Sequence, residues 1–328
     1  MSSQTPEFIR GVHNLRPRHR GAVVTIGTFD GVHRGHQAIL TQVQKLARQY
    51  ELPSMAVVFE PQPHEYFSRQ QAPARLMRLS EKVQTLFAVG VNRVLCLPFN
   101  TALITLTAEA FVQQVLVEGL GVRHLVVGDD FRFGCDRRGD FAMLQALGEQ
   151  WGFEVSDTCT LTDGGQRISS TRIRQLLEQG KLADAERLLG RPYCISGRVG
   201  HGRQLGRTLG VPTANVQLPL QRLPLAGVYV TRVEVDGHWY PGVANVGTRP
   251  TVNADKRPLL EVHLLDFDRD LYGQRLRVCF LQKLRDEQRF ASLPDLQAQL
   301  QVDIQQARDI LSVRSFKWDA LRSRHDRL

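Results

Sequence analysis

Gly27-Thr28-Phe29-Asp30-Gly31-Val32-His33-Arg34-Gly35-His36 decides how the first half of this chain is read. The apolar run Ala22-Val23-Val24-Thr25-Ile26 before it predicts a buried strand. The pattern after it, with Ile39, Leu40, Val43, Leu46 and Ala47, predicts a helix from Gly35 to about Tyr50. Three glycines and two histidines therefore stand where a strand turns into a helix. Glycines let backbone approach a ligand closely, and a helix N-terminus offers N–H groups and a positive dipole end. Two imidazoles add donors or positive charge where a phosphate develops negative charge. Two histidines three apart are, taken alone, more often surface residues or a weak metal site. The strand before and the helix after turn the reading toward a nucleoside triphosphate site that lacks the lysine of a Walker A loop.

Composition bounds the rest. At 328 residues with 42% hydrophobic content, the chain is comfortable as two domains with ordinary cores. No apolar run approaches about 18 residues, so no membrane span is expected. Residues Met1 to Glu7 carry no apolar signal core, and a cytoplasmic location is expected. The cysteines, Cys96, Cys135, Cys159, Cys194 and Cys279, are odd in number and never form Cys-x-x-Cys. They predict free thiols in a reducing compartment, with no zinc site and no disulfide. The net charge of +9 could serve nucleic acid, but the arginines are dispersed and few aromatics lie among them. A basic surface for polyphosphate substrates explains the charge as well, so no nucleic-acid partner is expected. Nothing here speaks to oligomeric state.

The two halves follow different patterns. Candidate strands Val23 to Ile26, Met55 to Phe59, Val94 to Leu97, Leu125 to Val127 and Phe153 to Val155 alternate with helical segments. Those helices are Gln37 to Tyr50, Glu81 to Val89, Ala108 to Leu116, Gly139 to Trp151 and Thr171 to Gln179. This alternation predicts a parallel α/β sheet with ligands at the carboxyl ends of its strands. From about Pro192, strand patterns dominate: Cys194 to Val199, Gly227 to Val235, Trp239 to Val246, Leu259 to Leu265 and Leu276 to Leu284. Asp236-Gly237 is a hairpin signal. A small antiparallel β-barrel is expected, with a helix from about Leu293 to Leu311 against it. The expected domains are 1–187 and 188–312, followed by a basic tail at 313–328.

Further runs carry chemistry. Ile168-Ser169-Ser170-Thr171-Arg172-Ile173-Arg174 follows Gly164-Gly165. Hydroxyls at a helix start are ordinary caps, but with Arg174 one turn on they also make a pyrophosphate clamp. Val127-Gly128-Asp129-Asp130-Phe131-Arg132-Phe133-Gly134 and Phe59-Glu60-Pro61-Gln62-Pro63-His64 each end a strand. The first suits a ring-binding loop, the second a stiffened wall of the same crevice. In the second half, the glycine-dense basic run from Gly197 to Gly210 suits a phosphate-wrapping flap. Pro212-Thr213-Ala214-Asn215 ends it with hard oxygen donors, right for Mg²⁺ shared with ATP phosphates. On a strand, Glu261 shares a face with His263 in Leu260-Glu261-Val262-His263-Leu264-Leu265-Asp266, and beside Mg-ATP it is a natural base for a substrate hydroxyl. Gly242 to Thr251 completes the set.

The His33-x-Gly35-His36 run resembles the signature of the nucleotidyltransferase superfamily, and Ser169-Ser170-Thr171-x-x-Arg174 resembles that of flavin adenylyltransferases. With both halves in order over roughly residues 10 to 312, the chain resembles the bacterial riboflavin kinase/FAD synthetase family. The resemblance implies a Rossmann-like nucleotidyltransferase domain followed by a riboflavin kinase barrel, acting on riboflavin, FMN and ATP. It implies that Gly27, Phe29, Asp30, Gly31, Gly35, Ser170 and Thr171 bind phosphates, with His33, His36 and Arg174 catalytic. In the barrel it implies that Gly200, Gly202, Arg207 and Gly210 wrap phosphates, Thr213 and Asn215 hold Mg²⁺, and Glu261 is the base. Flavin contacts fall to Pro63, Asp130, Phe131 and Phe133. Many relatives carry Asn where this chain has Asp130 and Thr28. From the residues alone, the reading stops at two domains, two triphosphate sites and no covalent nucleophile. An adenylyltransferase for another phosphorylated substrate, and a basic flavin- or RNA-binding regulator, stay open at that level.

Overall fold

The computed structural model describes residues 5–68, 71–128, 130–202, 210–218, 222–250 and 256–313. They form two compact units. One takes the chain up to Pro73 together with Met77–Ser169; the other takes Ala74–Leu76 and the chain from Ser170 onward.

The first unit is a six-stranded sheet. Its strands are β1 (Glu7–Arg10), β2 (Val23–Ile26), β3 (Ser54–Glu60), β4 (Arg93–Pro98), β5 (His124–Gly128) and β6 (Glu154–Thr158). The order is β1-β4-β3-β2-β5-β6, with every pair parallel. The central strands are buried on both faces, which is why they read as continuous apolar runs. Val24, Ile26, Met55, Val57, Leu95 and Leu125 pack on one face with Phe111 and Leu116. Ala56, Val58, Val94 and Cys96 pack on the other with Leu40 and Leu86. The helices are α1 (Arg34–Gln49), α2 (Pro63–Phe67), α3 (Leu79–Ala88), α4 (Thr101–Ile104), α5 (Ala108–Phe111) and α6 (Phe141–Trp151). The helix expected over 108–116 is α-helical only in α5 and continues as a wider π-helix, Val112–Leu120. No pattern revealed β1, an edge strand that buries only Ile9. A short hairpin, β7 (Thr162–Asp163) and β8 (Gln166–Arg167), turns at Gly164 and Gly165, with φ of 59° and 74°. Positive φ at both turn residues is what such a two-residue loop demands.

Strand order sets the position of the ligand crevice. From β2 the chain moves to β3 and β4 on one side, then to β5 and β6 on the other. The carboxyl ends of β2 and β5 flank this switch point, where open parallel sheets bind ligands. The His33–His36 loop follows β2, and the Asp130–Phe133 loop follows β5.

The second unit starts with α7 (Ser170–Glu178) and α8 (Leu182–Leu189), then closes a barrel. Its strands are β9 (Tyr193–Gly200), β10 (Ala214–Gln217), β11 (Gly227–Val235), β12 (His238–Pro250), β13 (Lys256–Leu264) and β14 (Arg275–Arg285). They run β10-β13-β12-β11-β14-β9 around the barrel, with β9 returning to β10. Tyr229, Val233, Ala244, Val246, Leu260 and Val262 are buried. The expected Asp236-Gly237 hairpin is present, with φ of 48° and 77°. β10 was not among the expected strands, because only Val216 in it is buried and no alternation announces it.

The final helix, α9 (Leu293–Val313), packs Ala307, Ile304, Ile310 and Leu311 against Val228, Val230, Val243, Leu265 and Leu281. Asp303, 1% exposed, pins it: Arg285 donates through Nη2 at 2.8 Å and Nε at 3.0 Å, and Gln299 adds a third donor at 2.9 Å. Asp303→Ala is expected to lower the stability of the barrel unit by about 2–3 kcal/mol, the scale of hydrogen bonds to a charged group. Urea denaturation checks it; an unchanged midpoint would show that α9 is held by its apolar contacts alone.

The free-thiol expectation is corrected. Cys194 and Cys279 form a disulfide with an S–S distance of 2.01 Å, while Cys96, Cys135 and Cys159 are free. They are opposite partners in the β9–β14 ladder, 85 residues apart in sequence. Only strand register brings them together, so spacing could not reveal the pair. Among the described residues no helix is long and apolar enough to cross a membrane.

Candidate active sites

The loop from β2 to α1 is tightly determined. Phe29 and Val32 are buried and take φ of 47° and 39°. That conformation is an outlier for a β-branched residue and persists only where the surroundings enforce it. Asp30, 1% exposed, accepts the Met77 N–H at 3.1 Å through Oδ1, so its carboxylate braces the loop. His33 is the N-cap of α1, and its Nδ1 accepts the His36 N–H at 3.3 Å. An accepting Nδ1 leaves the ring proton of a neutral imidazole on Nε2. The His33 and His36 rings stack, with centroids 3.6 Å apart and planes 17° apart, and Phe29 meets His36 edge-on at 5.1 Å. A Cβ at Gly35 would lie 3.1 Å from the His33 ring and 3.3 Å from the Ile168 carbonyl oxygen. Gly27 has a similar reason to be small, since its Cβ would lie 3.1 Å from the Phe29 ring. Gly35 thus leaves room for the His33 ring and Gly27 for the Phe29 ring, and Gly31 supplies a φ of 82°.

Ser170, Thr171 and Arg174 open α7, which belongs to the second unit. Arg174 is 8% exposed, and its Nε donates to the Ala74 carbonyl at 2.6 Å. Asp130 is exposed and forms an ion pair with Arg167 at 2.5 Å, joining the loop after β5 to β8. The Arg167 guanidinium holds the Asp130 carboxyl below the usual carboxylate range. Its contribution is present above that range and is lost as pH falls through the depressed value. Both side chains are more than half exposed, at 53% and 59%, so Arg167→Ala should cost less than about 1 kcal/mol of stability. It should also return the Asp130 titration upward toward the ordinary range, which carboxylate NMR would read. Phe131 is half-buried and stacks on Phe133 at 5.6 Å, while Phe133 packs into the sheet core. Pro63 opens α2.

In the barrel, register assembles the second site. Asn215 on β10 stands opposite Glu261 on β13, and on its other side opposite Gly200 on β9. Directly paired residues share a face, so Gly200, Asn215 and Glu261 form a row. All three are half-buried. A Cβ at Gly202 would fall 2.2 Å from Asn215 Nδ2, so this glycine lies directly against that carboxamide. His201 beside it stacks on Tyr272 at 4.2 Å. His263, two residues after Glu261, bonds through Nδ1 to the Pro212 carbonyl at 2.8 Å and ties the segment entering Thr213 to β13. Burial pushes the His263 imidazole below its ordinary value, so it stays neutral near pH 7. Sequence reasoning missed this tether, because nothing in the spacing links residues 212 and 263. Thr213 is half-buried. Gly210 carries a φ of 73°, and Arg207 lies outside the described residues. Thr213 and Asn215 offer a hydroxyl and an amide oxygen. Among the described residues no group of three or more His, Cys, Asp or Glu could hold a metal. That donor set fits a hard cation carried in on phosphates rather than a caged ion.

Comparison with known proteins follows the same division. The FAD synthetase family matches residues 15–172, and the riboflavin kinase family matches residues 189–311. The bifunctional riboflavin kinase/FMN adenylyltransferase of Pseudomonas fluorescens is 56% identical over 302 residues, covering 92% of this chain and 97% of its own. The chain belongs to the bifunctional riboflavin kinase/FMN adenylyltransferase family. The Escherichia coli (strain K12) member is 52% identical over 312 residues, covering 94% of this chain and 97% of its own. A crystal structure of a Streptococcus pneumoniae protein, described as a macrolide-efflux protein, has a TM-score of 0.79 at 31% identity. It covers 92% of this chain and 98% of its own, so the two-domain fold is shared along nearly the whole length. The chain is a transferase with a kinase and a nucleotidyltransferase domain, both dependent on ATP and, as in the family generally, on a divalent metal.

Proposed function

We propose that the two sites act in sequence with the residues assigned as follows. The kinase barrel phosphorylates riboflavin with Mg-ATP. Thr213 and Asn215 would hold the Mg²⁺ of Mg-ATP, which would supply charge neutralisation at the phosphates. Gly200, Gly202, Arg207 and Gly210 wrap the phosphates. Glu261 takes the proton of the 5′-hydroxyl as that oxygen bonds to the γ-phosphorus and the bond to ADP breaks. Phosphoryl transfer depends mainly on positioning and charge stabilisation, so one base suffices. The single observation that carries this reading is the cross-strand row in which Glu261 stands beside Asn215.

The adenylyltransferase domain joins FMN to AMP from a second ATP. A phosphate oxygen of FMN bonds to the α-phosphorus, and pyrophosphate leaves. That nucleophile is already an anion, so no base is needed. His33 and His36, lying over the N-terminus of α1, stabilise the charge that develops on the triphosphate. Phe29, Gly27, Asp30, Gly31 and Gly35 shape the loop, and Ser170, Thr171 and Arg174 bind the departing pyrophosphate. Pro63, Asp130, Phe131 and Phe133 form the flavin side, Phe131 by its half-exposed ring and Phe133 by supporting it. The proposed domains are 1–187 and 188–312. The tail at 313–328 lies, from residue 314, outside the described residues. The cytoplasm is the proposed compartment. Purified protein given riboflavin, ATP and Mg²⁺ should yield FMN first and FAD after it, read by chromatography over time. FMN without FAD would overturn the His33/His36 assignment, and no conversion by a folded sample would overturn both.

A further inference from the structure

The barrel row does not stop at Glu261. On the side away from Asn215, β13 pairs with β12, and the residue opposite Glu261 there is Asn245. The next strand offers Val228 opposite Asn245. Val228 is 4% exposed and packed under α9. Read across five strands, the row is therefore Gly200, Asn215, Glu261, Asn245, Val228. It is polar at three consecutive positions, between a glycine that opens the flap and an apolar wall. Asparagine is depleted in strands, and Asn245 is half-buried in one. Its place has no explanation in the barrel core, which the neighbouring Ala244 and Val246 fill from the opposite face.

The reaction has three parts: phosphate donor, base and acceptor alcohol. The donor side is taken by Asn215, against which Gly202 of the flap lies. The base is Glu261. The third polar position, on the far side of the base from the phosphates, is Asn245. Directly opposed residues have Cβ atoms about 4.5–5.5 Å apart, so the three positions span roughly the reach of a short polyol chain. A carboxamide both donates and accepts. It can hold hydroxyl groups without adding a charge that would compete with the base.

We infer that Asn245 positions the acceptor. Its carboxamide holds the hydroxyls of the ribityl chain so that the terminal one faces Glu261. This rests on the assignment of Glu261 and Asn215 above. The isoalloxazine ring is not what Asn245 reads.

The test is steady-state kinase kinetics on the full-length chain with Asn245→Ala and Asn245→Ser, with Glu261→Gln as control. Asn245→Ala should raise KM for riboflavin at least about tenfold, the loss of one well-made hydrogen bond. KM for ATP, and FAD formation from supplied FMN, should stay within twofold. Asn245→Ser, which keeps a donor and an acceptor, should recover part of the loss. Inhibition of the kinase by lumiflavin, which has the ring and no ribityl chain, should be equal in wild type and variants. An unchanged riboflavin KM in both variants overturns the inference. Equal rises in both KM values, or weakened lumiflavin inhibition, overturn it too, by moving Asn245 to the phosphate or ring side. If Asn245→Ala misfolds, Asn245→Ser alone carries the comparison, with a wild-type melting transition of the barrel as its folding control. A Glu261→Gln enzyme with full kinase activity would instead sink the assignment beneath it. A dead Glu261→Gln with silent Asn245 variants would sink this inference alone.

Discussion

Glu261→Ala is expected to slow FMN formation about 10²–10⁴-fold, the range typical of a lost general base, and to leave FAD formation from supplied FMN intact. The size follows from where the carboxylate stands. Glu261 is the only acidic member of its row, with Asn215 on one side and Asn245 on the other. No neighbour in that row can take over the proton. Alanine keeps the strand register, because register is held by Leu260, Val262 and Leu264 on the buried face. The loss should therefore appear in the rate and not in the folding transition. Paired assays on one sample, riboflavin to FMN and FMN to FAD, separate the outcomes. A fall in both activities, in a protein that melts like wild type, would refute independent sites.

His36→Ala should do the reverse. FAD formation from FMN is expected to fall about 10²–10³-fold, the cost of removing one preorganised donor to developing charge, with riboflavin phosphorylation unchanged. His36 does more than offer a ring nitrogen: it stacks on His33 and closes against Phe29. Its removal also frees the His33 ring to tilt, so some loss comes through the neighbour. His36→Asn, which keeps a donor but no stacking ring, should recover less than a factor of ten. Rates of pyrophosphate release and of FMN release, measured together, check the split.

Much of both sites could be read in the residues themselves, because their chemistry lies in contiguous runs. A strand, three glycines, two histidines and a helix are local facts, and so are Thr213-Ala214-Asn215 and Glu261-Val262-His263. What could not be read was whatever depends on two strands meeting. Asn245 lies inside the run Gly242 to Thr251, and its place beside Glu261 exists only once β12 pairs with β13. The Cys194–Cys279 bond has the same origin, and the His263 tether to Pro212 and the Asp130–Arg167 pair likewise join residues far apart in sequence. Asp30 was read as a phosphate contact from its place in the motif. Its burial and its bond to the Met77 N–H, which brace the loop, depend on a residue 47 positions away and had no local signal. Strands β1 and β10 escaped because each buries a single side chain, too few to mark a period.

The barrel's alternation has a consequence for which kinds of sequence change this enzyme can survive. On β13, Leu260, Val262 and Leu264 face inward because Glu261 and His263 do not. Inserting or deleting one residue within β13 would reverse every side chain beyond it. A carboxylate would be driven into the lipophilic centre, and a leucine would stand where the base belongs. Substitutions at exposed strand positions alter one contact each. A change in length alters the core and the active site together, so evolution of this domain must proceed by exchange of residues within its strands, with gains and losses of chain confined to the loops.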